Sequence, residues 1–150
     1  MELESDRTIQ NAAPPEPYRV LLVEDSYDSV AVTKAFLNDP LIQLTVSYDG
    51  EQGIRAFKDS RFDLVLMDIH MPVLDGCAAT LAIRRWEKEK SLRPTPITAL
   101  TASSSADDLA KIFASGCSHY LPKPVTKAIL LQTVQQFFNA QTRRSAGSGR

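Results

Sequence analysis
The sequence predicts an α/β protein built on a doubly wound, five-stranded parallel sheet with strand order 2-1-3-4-5. Two observations carry this expectation. Short apolar runs rich in β-formers alternate five times with stretches of helix-forming residues, the pattern of βα units. The runs are also too apolar for a sheet with one wet face: in "FDLVLM", residues 62–67, Asp63 is the single polar residue, so helices are expected on both faces. Right-handed crossovers leave few ways to join five such units, and the order 2-1-3-4-5 suits units this short.

The elements follow in order. Residues 1–18 are polar and end in the proline-rich approach "NAAPPEP", which reads as a flexible arm with Tyr18 at its junction with the fold. The first strand lies in "YRVLLV", and "SYDSVAVTKAFLND" opens a helix on the capping residue Ser26. "LTVSY" is a short strand and "GEQGIRAFKDS" a short helix. "FDLVLM" is the third strand, and "DGCAATLAIRRWEKEK" sets Ala79, Ile83 and Trp86 on one helical face. "PITALT" is followed by the helix "SSADDLAKIFASG", stopped by Gly116. "SHYLP" is the last strand, and "TKAILLQTVQQFF" spaces Leu130, Val134 and Phe137 as a helix. The domain is therefore expected over residues 19–139, with residues 140–150, small, polar and basic, as a disordered tail.

Composition removes several function classes. The chain has 150 residues, 43% of them hydrophobic and 23% charged, ordinary values for one globular domain. A net charge of −1 leaves no basic footprint for nucleic acid. No run reaches the roughly 20 apolar residues of a membrane span, and the N-terminus lacks a signal peptide's basic and apolar regions. Cys77 and Cys117 belong to no CxxC or Cys/His pattern, so neither a disulfide framework nor a zinc site is expected and the cytoplasm is the default compartment.

In a doubly wound sheet, ligands bind beyond the carboxyl ends of the strands. The residues there are Glu24 and Asp25 after the first strand, Asp68 after the third, Thr101 after the fourth and Lys123 after the fifth. Three carboxylates that close repel one another and need a counter-charge or raised pKa values. A hard divalent cation with oxygen ligands, Mg²⁺, supplies the first. Lys123 brings a second positive charge and Thr101 a hydroxyl donor. The set makes a pocket for a phosphoryl group, with one carboxylate free to attack it. Asp68, carried by the most apolar strand, is the natural nucleophile, and Pro72 with "DG" at 75–76 turns the chain into the next helix.

These residues identify a resemblance. Over roughly residues 19–139 the chain resembles the receiver domain of two-component response regulators, whose fold is flavodoxin-like, in "LLVEDS", "DLVLMDIHMPVLDG", "PITALTA" and "GCSHYLPKP". Any one segment alone is a weak signal; their order and spacing are specific. The resemblance implies that Asp68 accepts a phosphoryl group from a phosphohistidine on a sensor histidine kinase or a histidine phosphotransfer protein. It implies Mg²⁺ held by Asp25, Asp68, the main-chain carbonyl of His70 and, through water, Glu24. It further implies that Thr101 and Lys123 bind phosphoryl oxygens, that Tyr120 is the aromatic switch residue, and that Lys123–Pro124 is a cis peptide. The signal would leave through the face formed by Asp107–Phe113, Tyr120 and the last helix. No enzymatic turnover of an external substrate is implied.

Competing readings fit less well. An aspartate-nucleophile phosphatase of the haloacid dehalogenase type needs a second Asp two residues after Asp68, where His70 stands. A flavodoxin-like cofactor domain would cradle an anionic phosphate in its first loop, whereas "VEDSYDS" presents carboxylates that repel one. A pseudo-receiver would lack the acidic pair, Asp68 or Lys123. The dozen or so residues after the last helix are too few for a DNA-binding output domain. The expectation is a receiver without its own output domain, either a stand-alone regulator or phosphorelay intermediate, or one taken from a hybrid histidine kinase. His119 is expected at the surface.

Overall fold
A computed structural model describes the backbone of residues 16–147 and the side chains of residues 16–141. Most of the expected N-terminal arm, residues 1–15, and the last three residues of the expected tail lie outside the described residues. Five strands, β1 (Tyr18–Val23), β2 (Ile42–Ser47), β3 (Leu64–Asp68), β4 (Ile97–Thr101) and β5 (His119–Pro122), alternate with five helices. The helices are α1 (Tyr27–Phe36), α2 (Gly50–Asp59), α3 (Gly76–Glu89), α4 (Ala106–Ala114) and α5 (Lys127–Gly147). The sheet is parallel throughout, in the order β2-β1-β3-β4-β5.

The two-residue period of each strand divides the core in two. Leu21, Val23, Val65, Met67, Ile97 and Ala99 face α2, α3 and α4 and pack on Phe57, Ala79, Ile83 and Ile112. Val20, Leu22, Leu64, Leu66, Leu100 and Leu121 face the other way, onto Val30 of α1 and onto Leu130 and Val134 of α5. Every residue of β3 and β4 is buried, whereas the edge strands β2 and β5 are partly exposed. That gradient places the two central strand ends, Asp68 and Thr101, in the driest part of the rim.

Each helix starts at the carboxyl edge of the sheet on a side chain that accepts from its first turn. Ser26, Asp49, Asp75 and Ser105 cap the N-termini of α1 to α4, and Thr126 Oγ1 accepts from Ile129 N at 3.3 Å at the start of α5.

Three expectations need correction. β1 starts at Tyr18, so a boundary after residue 18 cuts into the sheet: Tyr18 is buried and meets Phe138 edge-on, ring centroids 5.2 Å apart. Residues 140–147 of the expected tail continue α5 to Gly147. Ala140, Gln141, Arg143 and Arg144 are good helix formers, and Gln141 Nε2 donates to Asp63 Oδ1 at 2.5 Å, tying the extension to the start of β3. His119 is half-buried rather than on the surface, its ring 6.3 Å from that of Phe137. No helix among the described residues is long and apolar enough to cross a membrane.

Candidate functional site
The sheet delivers the site residues by strand ends. Beyond β1, Glu24 N still donates to Ser47 O at 3.0 Å, so Glu24 extends the ladder by one residue before Asp25 leaves it. β3 ends at Asp68, whose neighbour Ile69 donates to Leu100 O at 3.1 Å and keeps this rim rigid. Lys123 follows β5 directly, its N–H bonded to Thr101 O at 2.7 Å, and the Lys123–Pro124 peptide is cis. Because β4 separates β5 from β3, only a long side chain can bring a charge from residue 123 to Asp68.

Glu24, Asp25 and Asp68 each offer a carboxylate oxygen, and these three atoms lie within 4.8 Å of one another. Glu24 and Asp68 are buried; Asp25 is the most exposed of the three. Lys123 Nζ donates to Glu24 Oε2 at 3.0 Å and to Asp68 Oδ1 at 2.9 Å. Ser26 N donates to Glu24 Oε1 at 3.3 Å, which fixes the glutamate's other oxygen.

Burial pushes the Asp68 carboxyl up to about 7, with the Glu24 charge adding to the rise and the Lys123 hydrogen bond opposing it. For Lys123, burial disfavours the ammonium, but the hydrogen bonds to Asp68 and Glu24 outweigh it and raise the pKa above the usual value. Three carboxylates against one ammonium leave two negative charges when all are ionised. A hard dication would offset that charge, and oxygen donors beside an exposed carboxylate suit partly hydrated Mg²⁺. The residues present fit the ion.

Other expected site residues stand differently. The Thr101 side chain is fully buried, but its hydroxyl does not bridge the carboxylates and Lys123. Thr101 Oγ1 donates to Ser103 O at 3.0 Å and accepts from Ser103 N at 3.2 Å, closing a turn after β4. Tyr120 is half-buried, its ring edge-on to Phe113 at 6.0 Å, while Phe113 itself is exposed. His70 is exposed, two residues beyond Asp68.

Two features of the site escaped the sequence reading. A Cβ at Gly76 would stand 2.2 Å from the Asp68 carbonyl oxygen and 2.8 Å from Ile69 Cα. Gly76 thus does more than turn the chain: it lets the start of α3 lie against the backbone of the strand end, with Gly76 N donating to Ile69 O at 2.9 Å. The "DG" dipeptide signalled a turn but not this approach. Ser103 Oγ, in turn, donates to the Asp108 carboxylate, a link between loop and helix for which residue spacing gives no signal.

The model of the "Response regulator receiver domain" family matches residues 20–135. The chain is 36% identical over 131 residues to the sensor histidine kinase GacS of Pseudomonas protegens, which covers 87% of this chain and 14% of that protein. It thus spans about a seventh of that relative's length. The receiver domain of the response regulator Ssk1 of Saccharomyces cerevisiae, solved with the histidine phosphotransfer protein Ypd1, superposes with a TM-score of 0.79 at 32% identity, covering 87% of this chain and 94% of that one. The receiver domain of a Pseudomonas aeruginosa sensor histidine kinase, solved with a magnesium ion coordinated in its active-site cleft, superposes with a TM-score of 0.72 at 35% identity, covering 82% and 98%.

Proposed function
The chain belongs to the response regulator receiver domain family, and from that premise we propose that it takes a phosphoryl group from a phosphohistidine onto Asp68. The observation that carries the reading is the position of Asp68: a buried carboxylate at the end of a central strand, within reach of two further carboxylates and 2.9 Å from Lys123 Nζ. An oxygen of Asp68 attacks the phosphorus, the P–N bond to the donor imidazole breaks as the P–O bond forms, and the imidazole takes up a proton from solvent. Lys123 turns from Asp68 to the incoming phosphoryl oxygens, and Glu24 keeps hold of it. Asp25, Asp68, the His70 carbonyl and, through water, Glu24 would hold Mg²⁺, which would supply positive charge to those oxygens.

The donor is a sensor histidine kinase or a histidine phosphotransfer protein, as the Ssk1–Ypd1 pair suggests for a relative. The protein works in the cytoplasm as a signalling receiver and turns over no external substrate. Phosphorylation draws the Thr101 hydroxyl inward, Tyr120 follows, and the face around Asp107–Phe113, Tyr120 and α5 signals to a partner. The test is incubation with acetyl phosphate and Mg²⁺ followed by a phosphate-affinity gel. One slowed band is expected for the wild type and none for Asp68→Asn; a slowed band persisting in that variant overturns the assignment.

A further inference from the structure
We propose that Ser103 and Asp108 are positioning residues that clamp Thr101 in its resting place and so set the threshold of the switch. The inference rests on the receiver reading above and deepens it. Four hydrogen bonds converge on Ser103. Its main chain closes on the Thr101 hydroxyl from both sides, N to Oγ1 at 3.2 Å and Oγ1 to O at 3.0 Å. Its hydroxyl donates to Asp108 Oδ2 and accepts from Ser105 N at 3.4 Å. Ser103 therefore joins the end of β4 to the first turn of α4.

Capping alone does not account for this arrangement. Ser105 already caps α4, its Oγ accepting from Asp108 N at 3.2 Å. Asp108 is the third residue of the helix, and in a capping box that carboxylate reaches back to the N–H of the cap residue. Here the Ser103 hydroxyl stands between them: it takes the Ser105 N–H and gives its own proton to Asp108. The reciprocal cap has been opened to admit a third residue, the one that holds Thr101. The Asp108 carboxyl is held below its usual range, first by the Ser103 hydrogen bond and then by Ser105, so it stays ionised as the acceptor at neutral pH.

When the Thr101 hydroxyl moves to a phosphoryl oxygen it must leave the Ser103 carbonyl. A Ser103 anchored to α4 resists following it; a released Ser103 does not. Removing the anchor therefore lowers the cost of the active arrangement without touching any group that contacts the phosphoryl oxygens, and raises the apparent affinity for an aspartyl-phosphate mimic.

The experiment titrates the full chain with beryllofluoride in saturating Mg²⁺ and follows amide NMR signals of Tyr120 and Leu121. Ser103→Ala and Asp108→Ala are expected to reach half-saturation at about threefold to tenfold lower beryllofluoride, the size of one net hydrogen bond. Asp108→Asn keeps an acceptor oxygen and should remain near wild type. In a Thr101→Ala background, where no hydroxyl is held, Asp108→Ala should add nothing. Unchanged or weaker binding in the alanine variants, or the same gain without Thr101, overturns the clamp. A wild type with no beryllofluoride response at all overturns the receiver reading itself, whereas a responsive wild type matched by its variants overturns only the clamp.

Discussion
Lys123 Nζ donates to Asp68 Oδ1 at 2.9 Å, from the far side of the intervening strand β4. The same ammonium holds Glu24, whose side chain is almost fully buried, so it is a structural counter-ion to two dry carboxylates as well as a candidate phosphate ligand. Lys123→Ala should therefore weaken the fold. Breaking a buried pair costs several kcal/mol, but Lys123 is partly exposed, and solvent screening reduces the expected loss to about 1–3 kcal/mol. Urea denaturation in EDTA measures it, and wild-type stability in the variant would show that water serves the carboxylates equally well.

Mg²⁺ should stabilise the wild type by about 2.7 kcal/mol at a hundred times its Kd. Asp25→Ala should lose most of that gain, while its stability in EDTA stays at or above wild type, because one of three mutually repelling carboxylates is gone. Tyr27 and Tyr48, with rings 4.8 Å apart and Tyr27 two residues from Asp25, are the optical reporters to follow. Trp86 packs against Phe57, ten residues along α3 from Gly76 and so roughly 15 Å from the site. A full Mg²⁺ shift in Asp25→Ala would remove Asp25 from the ligand set.

Gly76→Ala forces a methyl group against the Asp68 carbonyl oxygen, and backbone cannot yield as a side-chain tip can. The expected cost is about 1–3 kcal/mol, with the Asp68 end of β3 displaced. Labelling by acetyl phosphate should consequently fall at a temperature where the variant remains folded. Wild-type labelling and stability together would mean that α3 simply moves away.

Alkali should destabilise the protein through Tyr18. Burial first, and then the Asp63 charge, hold its phenol well above the ordinary 10.0. Above pH 10 the unfolded chain has lost this proton and the folded chain keeps it, so the native state binds more protons and stability falls as pH rises. The contribution is complete below the unfolded value and is lost with increasing pH. Among the described residues the buried Tyr18 hydroxyl has no hydrogen-bond partner, so Tyr18→Phe should change little at pH 7 and flatten the decline between pH 10 and 11. Equal declines in urea titrations of both proteins would assign the effect elsewhere.

The sequence by itself determined the sheet and the acidic end of the site. The alternation of apolar runs with helical stretches specified five strands in a sheet covered by helices on both faces, and crossover handedness then allowed few orders. Glu24, Asp25, Asp68 and Lys123 could be read because a strand end has a fixed address on the rim: backbone topology gathers the three carboxylates, and the length of the Lys123 side chain spans β4 to reach them. Tertiary structure decided what depends on side-chain direction and on close approach. Thr101 sits at its expected address, yet its hydroxyl turns to Ser103, because a buried donor takes the nearest acceptor. The approach of Gly76 to Asp68 depends on where α3 lands on the sheet. The continuation of α5 past residue 139 goes with Gln141 meeting Asp63, two residues far apart in the chain. Local pattern fixes which residues lie on an element, whereas contacts between elements depend on all of them being packed at once.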